Sequence, residues 1–159
     1  MAMEIYILSA RAMVSIDEWQ RSIDDSGFPL RLSTGVPFAK VRGFVPATLE
    51  GENTGFECNH WRVSDVLEAY QADIPAQWVH ALALRMTGRT SEVVSAYMAA
   101  SAYARGTGGA VFDCEEGKVI SAQRAAEIAR EIEIMAPRIE ESARKAVQAA
   151  MQDWRMKKT

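Results

Sequence analysis

Three acidic residues stand within four positions in the segment GGAVFDCEEGKVIS, residues 108–121. Asp113, Glu115 and Glu116 follow a strand-forming Val-Phe pair and precede a glycine. Carboxylates bind Mg²⁺ or Ca²⁺ through oxygen, but D-x-E-E-G lacks the alternating acids and the distal Glu of a calcium loop. Catalytic acid pairs need a cleft and a defined separation, which a tight turn does not provide. The pattern therefore favours a solvated hairpin tip, and the second interpretation is an acidic surface facing a basic partner.

A second acidic group lies in residues 43–73, where one basic residue, Arg62, stands against six acidic ones. Part of this group surrounds the sequence EGENTG at 50–55, whose glycines indicate a turn between two strands. Complementary charge accelerates association and selects partners. The acids of the two turn regions are therefore the predicted partner-binding residues: Glu50, Glu52, Glu57, Asp113, Glu115 and Glu116.

A third group could do nucleophilic or metal chemistry. Cys58 and His60 are two positions apart and would share one side of a strand. Together with His80 and Cys114 they make a formal Cys₂His₂ zinc set, but C-x-H is not a usual zinc spacing and the other ligands are distant. A Cys–His dyad also needs a group that orients the base, and the sequence supplies none. We therefore expect no catalytic residue and no metal, and the simpler interpretation is that the cysteines are buried.

Known cofactor and nucleophile motifs are missing from the sequence: it contains no G-x-G-x-x-G, Walker A, G-x-S-x-G or H-E-x-x-H. The glycines of RGTGGA, residues 105–110, follow a predicted helix. A helix presents its positive end at the N-terminus, so these glycines have the wrong polarity for a phosphate site. We read them as a helix stop and expect no cofactor.

Length and composition limit the remaining classes. A chain of 159 residues with 48% hydrophobic and 25% charged residues is typical of one globular domain over 1–159. A net charge of −3 argues against general nucleic-acid binding, which relies on clustered Lys and Arg. The first residues do not resemble a signal peptide, and the longest uncharged run, residues 93–104, is too short to span a bilayer. These features predict a cytoplasmic protein without a membrane partner.

The hydrophobic pattern predicts the order β-α-β-β-β-(α)-β-α-β-α-α. Short apolar or alternating runs at 3–9, 28–33 and 78–86 indicate strands. Ser15 followed by Glu18 is a capping-box pattern that begins a helix. We therefore predict an α+β fold with a mixed or mainly antiparallel sheet and helices packed on one side.

The C-terminal region is predicted to be helical from Ser121 onward, with an interruption at Pro137. Beyond the proline, apolar residues recur at helical spacing: Ile139, Ala143, Val147, Ala150, Met151 and Trp154. This apolar side has two interpretations, packing on its own domain or contact with a second subunit or a partner helix. In either case we expect Trp154 to be at least partly buried.

Two segments carry a resemblance to known proteins. GFVPATLEGENTGFEC at 43–58 and ARGTGGAVFDCEEGKVIS at 104–121 are together similar to small uncharacterised bacterial proteins of the toxin-immunity type. Such proteins accompany secreted antibacterial toxins and stay in the cytoplasm. The resemblance implies a non-enzymatic inhibitor that binds tightly, and it assigns no functional residue.

The sequence thus leaves three functional hypotheses. The first is an immunity protein that neutralises a cognate toxin by occluding its active site. The second is a homo-oligomeric structural or regulatory module, including a homodimer, that uses the C-terminal helices. The third is a small enzyme or ligand-binding domain with a site around Cys58, His60 and His80.

Overall fold

The computed structural model describes residues 3–33 and 37–158, and its centre is an antiparallel sheet of seven strands in this part of the chain. The strands are β1 (Met3–Ser9), β2 (Leu30–Leu32), β3 (Arg42–Leu49), β4 (Glu52–Arg62), β5 (His80–Met86), β6 (Ala110–Asp113) and β7 (Lys118–Ile120). Their spatial order is β2-β3-β4-β5-β1-β6-β7, and every neighbouring pair is antiparallel. The helices are α1 (Ile16–Asp25), α2 (Val63–Tyr70), α3 (Thr90–Thr107) and α4 (Ala122–Lys158), with a short 3-10 helix at Phe38–Lys40. The predicted α+β class is confirmed.

Helix α3 lies at the centre of the larger core. All residues from 93 to 104 are buried, because the sheet covers one side of α3 while α1 and α4 cover others. A helix buried on all sides must be apolar all round, and small residues let its neighbours approach closely. Trp19 of α1 is fully buried beside it, and the Trp19 indole N–H donates to the Ala99 carbonyl at 2.9 Å.

The central strands are apolar on both faces, which is why the sheet is covered on both. Ile5 and Ile7 of β1 face α3, whereas Tyr6 and Leu8 belong to a second, smaller core on the opposite face. Helix α2 covers that second core through Val66, which is fully buried. The predicted one-sided helical layer therefore holds for α1, α3 and α4, and α2 packs on the other side.

The β3–β4 hairpin is tighter than the glycine pattern predicts. Its turn consists of Glu50 and Gly51 alone, both with positive φ, at 52° and 84°. Two consecutive residues of positive φ match the twist of antiparallel strands and favour a two-residue connection. Residues 52–55, predicted to be turn, therefore belong to β4.

Helix α4 is continuous through Pro137. The proline lies inside one bent helix of 37 residues, so the predicted interruption takes the form of a bend. Proline removes one backbone donor and crowds the preceding turn, and a long helix accommodates this by bending. The predicted start is confirmed, because the Arg124 backbone N–H donates to Ser121 Oγ at 3.0 Å.

Trp154 is 60% exposed in the single chain, so its own domain does not bury it, and burial against a second subunit or a partner helix stays a prediction. The reason is a difference in helix length. Helix α4 has 37 residues and α3, on which it packs, has 18. The second half of α4 therefore extends past the surface that covers the first half.

The glycine pair after α3 gives a stability test. Gly108 ends the helix with φ +68°, and a Cβ built at Gly109 would lie 1.9 Å from the Leu8 carbonyl oxygen of β1. We expect Gly109→Ala to destabilise the protein by about 3 kcal/mol or more, since the clash is with backbone. Chemical denaturation measures this. Gly88→Ala is the matched control, because a Cβ there meets nothing within 4 Å, and an equal loss in both variants would contradict the packing argument.

Candidate functional site

The structure does not bring the cysteine and histidine candidates together. Cys58 is fully buried in the larger core, and burial raises the pKa of its thiol to about 12. His60 Nε2 lies 2.9 Å from the Phe38 carbonyl oxygen. His80 is exposed at the start of β5, where its partner in β4 is Arg62. A buried thiol whose pKa is raised stays protonated at neutral pH and is a poor nucleophile.

Cys114 belongs to the opposite face of the sheet. It packs on the smaller core, and burial raises the pKa of its thiol to about 11. The two cysteines therefore lie on different sides of the sheet and do not share a site. Within residues 3–33 and 37–158, no group of three or more His, Cys, Asp or Glu side chains is arranged to hold a metal ion.

The hollow on the sheet edge near α3 has a volume of about 350 Å³ and is lined by Phe44, Glu57, Arg85 and Glu92, among others. Its charged groups already have neighbours in the chain. Glu92 accepts hydrogen bonds from Thr87, at 2.9 Å from the backbone N–H, and so closes the first turn of α3. Arg85 lies between two acidic strand neighbours, Glu57 of β4 and Glu4 of β1.

Asp113 points into the domain and not toward a partner. Asp113 is only 4% exposed. Its Oδ2 accepts a hydrogen bond from the Tyr97 hydroxyl at 3.3 Å, and its Oδ1 accepts one from the Glu115 backbone N–H at 3.0 Å. An Asp that bonds the backbone two positions later is a common turn device. Asp113 thus shapes the β6–β7 turn, which corrects the prediction that it belongs to a partner-binding surface.

Two of the other predicted acids have cationic neighbours. Glu57 in β4 is the cross-strand neighbour of Arg85, which has Glu4 of β1 on its other side. Glu116 forms an exposed ion pair with Lys118 at 3.1 Å. Ion pairs at exposed positions contribute little stability, but they reduce the negative charge that a partner would meet.

The remaining acids, Glu50, Glu52 and Glu115, are exposed at the same end of the sheet. The strand order produces this arrangement. Strands β4 and β6 run in opposite directions, so the start of β4 and the end of β6 lie at the same end of the sheet. Strands β4 and β6 are three spacings apart, or about 14 Å, and the register sets Asp113 level with Cys58, so the β3–β4 hairpin extends beyond the β6–β7 turn. We call these three residues and this end of the sheet the acidic end.

Helix α4 leaves the domain at the acidic end, beside the β3–β4 hairpin. Glu133 of α4 is partly buried, and burial raises the pKa of its carboxyl, with the negative charge of Glu50 adding to the effect. No local sequence pattern indicates Glu133, because its proximity to Glu50 follows from the path of α4 across the domain.

Residues 134–158 form what we call the projecting segment, about 37 Å of helix. From residue 140 to residue 158 every side chain is exposed. Val147, Met151 and Trp154 are 58%, 53% and 60% exposed and stand at the i, i+4, i+7 positions of one helix side. The described part of the chain places no other element over this side.

Within the segment, local contacts support the helix. Lys145 pairs with Glu141 at 3.3 Å and Lys157 pairs with Asp153 at 3.2 Å, both four residues apart. The Lys158 ammonium lies 4.5 Å from the centre of the Trp154 ring. Such contacts each stabilise a helix by a few tenths of a kcal/mol, so they hold its shape without covering its apolar side.

Comparison with protein-family models, with curated proteins and with solved structures gives no match to this chain. Among the described residues, no helix combines the length and the apolar character needed to cross a membrane.

Mutation of the buried acid in the β6–β7 turn, Asp113, should change stability more than mutation of the exposed acids, Glu115 and Glu116. We expect Asp113→Ala to destabilise the fold by about 1–3 kcal/mol, because it leaves buried donors without an acceptor. Glu115→Lys with Glu116→Lys should change stability by less than about 0.5 kcal/mol, since both side chains are exposed. Thermal or chemical denaturation separates these outcomes. A stable Asp113→Ala variant would show that the inward hydrogen bonds are dispensable.

The Glu50–Glu133 pair predicts a pH dependence. A carboxyl whose pKa is raised by folding destabilises the native state once the pH exceeds that pKa, and costs nothing below the unfolded pKa. We therefore expect Glu133→Gln to raise the melting temperature at pH 7, with a gain that disappears near pH 4. Glu50→Gln should give a smaller gain, because it removes only the repulsion. A gain that is constant from pH 4 to 7 would contradict the electrostatic cause.

Proposed function

We propose that this protein acts by binding other proteins and not by catalysis. The observation that carries the proposal is the projecting segment, whose apolar side chains Val147, Met151 and Trp154 are all more than half exposed. A contiguous exposed apolar surface is typical of an interaction site. An unpacked helix of this length is also marginally stable, because most helix stability in proteins comes from packing of the apolar side.

The surroundings of the reactive side chains support the same proposal. The Cys58 thiol is buried and its pKa is raised, so it is poorly suited to nucleophilic attack. Asp113 is occupied by a hydroxyl and a backbone donor inside the domain. In the third hypothesis, a site around Cys58, His60 and His80, Cys58 would have to act from the core while His80 is exposed at the start of β5, and this favours binding over catalysis.

For the kind of partner, we propose a basic protein, and specifically an antibacterial toxin that this chain inhibits in the cytoplasm. The acidic end supports this proposal, since Glu50, Glu52 and Glu115 are exposed on one end of the sheet and form no ion pair within the described residues. The resemblance of residues 43–58 and 104–121 to toxin-immunity proteins points in the same direction. The acidic end would occlude the toxin by covering a basic active-site cleft.

The test is to identify the partner and then to alter the charge. Affinity purification from the native strain with the full chain as bait should yield one stoichiometric protein. We expect Glu50→Lys, Glu52→Lys and Glu115→Lys together to lower the association rate by at least tenfold at low salt, and by less at high salt, because screening weakens steering. Stopped-flow or surface-based kinetics measure both.

The matched control carries the same three charge changes on other exposed surfaces, Asp25→Lys, Glu68→Lys and Asp73→Lys. It should bind more tightly than the acidic-end variant at every salt concentration. If both triple variants lower the association rate constant by the same factor, only the net charge of the protein matters. If neither loses any, the partner binds elsewhere.

A further inference from the structure

We propose that the projecting segment pairs with the projecting segment of a second copy of this chain, as an antiparallel helix pair. The inference rests on the proposed role in protein binding and names one partner and its orientation. It concerns the apolar side of α4, so it is independent of whether the acidic end binds a toxin.

The first support is the continuity of one apolar side along α4. Ala125 and Ala129 are fully buried against the core that α3 centres. Ala143 and Val147 follow them by 18 residues, which is about five full helix turns, so they lie on the same side of the helix. Trp154 continues that side. The first half of α4 packs on a helix, α3. A second helix would cover the exposed apolar side of the second half in the same way.

The second support is the distribution of charge along α4. Within the projecting segment, residues 134–141 contain two acidic and one basic side chain, whereas residues 142–158 contain five basic and one acidic. In an antiparallel pair, the acidic part of one helix lies beside the basic part of the other. Glu140 of one copy would then be near Arg155 and Lys158 of the second copy. A parallel pair would place like charges together, and its aligned helix dipoles would also be unfavourable.

The third support is where the domains would lie. Each segment is about 37 Å long and joins its domain at the beginning of the segment. Antiparallel pairing places the two domains at opposite ends of the helix pair. Parallel pairing would bring both copies of Glu50 and Glu133 side by side, adding to the like-charge contact that already exists within each copy.

The expected strength of the contact follows from its size. Two helices of this length, in contact along one side, bury on the order of 1,000 Å², which is near the lower limit for a specific interface. Alanines at 143 and 150 permit close approach, and Trp154 is the large side chain that such an interface buries as an anchor. We therefore expect a reversible dimer whose population depends on concentration.

Sedimentation equilibrium of the full chain tests the pairing. The mass should rise from 17.6 kDa toward twice that value as the concentration increases through the micromolar range. Val147→Lys with Met151→Lys should keep the chain monomeric, with a loss of at least a hundredfold in the association constant. Ser142→Lys with Ala149→Lys is the control, because it makes the same charge change on the opposite side of α4 and should leave the dimer intact. Circular dichroism confirms that each variant keeps the domain fold.

A charge exchange tests the orientation. Glu140→Arg alone should weaken the dimer by about tenfold, because it sets like charges beside Arg155 of the other copy. Glu140→Arg combined with Arg155→Glu should restore the association constant. In a parallel pair Glu140 would face Glu140 of the second copy. The single variant would then replace one like-charge contact by another and would not weaken the dimer.

Several results would overturn the proposal. The chain could stay monomeric at the highest concentration reached, or it could dimerise equally well with Val147→Lys and Met151→Lys. Equal weakening by the Ser142 and Ala149 control would show that net charge and not the apolar side is responsible. Protection of residues 140–158 from hydrogen exchange only after a different protein is added would assign the segment to that protein. In that last case the pairing fails while the proposed function in protein binding stands.

Discussion

The burial of α3 on every side is the constraint on which the rest of the domain depends. The helix fills the space between the sheet, α1 and α4, so its sequence is dominated by small residues. The polar groups that this places in the core are satisfied. Ser101 Oγ donates to the Ala122 carbonyl at 2.7 Å, and the Tyr103 hydroxyl accepts from the Met13 backbone N–H at 3.0 Å. These bonds join α3 to the start of α4 and to the loop before α1.

The same constraint leads to the exposed half of α4. Helix α3 provides a packing surface for only the first half of α4, and Ala125 and Ala129 use it. An apolar side that continues past the end of this surface reaches Trp154 with no partner in the described part of the chain. The proposed interaction surface is thus the continuation of the protein's own core packing.

The acidic end arises from topology in a comparable way. Glu50 and Glu115 are 65 positions apart in the sequence, yet antiparallel pairing directs both of their turns to one end of the sheet. The path of α4 then adds Glu133 beside Glu50. A protein whose charged turns and projecting helix share one end can present both to partners, and the two surfaces need not compete.

The sequence by itself determined the features that depend on neighbouring residues. Alternation and caps predicted the strands and helix starts, since these follow from bonds within a few positions. Ser15 Oγ accepts from the Glu18 backbone N–H at 3.1 Å as the capping pattern requires, and Gly108 ends α3 as expected. The reciprocal half of that capping box differs, because the Glu18 carboxylate bonds Val14 and Arg11 instead of the Ser15 backbone.

Only the tertiary structure decided what lies opposite each side chain. The local pattern predicts that Asp113 serves the turn and that Glu115 faces water, but the bond from Tyr97 to Asp113 depends on α3, which packs against the strand. Periodicity placed Trp154 on an apolar side but could not show that the side is uncovered. Helical spacing reports which residues share a face, whereas burial depends on whether another element reaches that face. For Trp154, α3 is too short to do so.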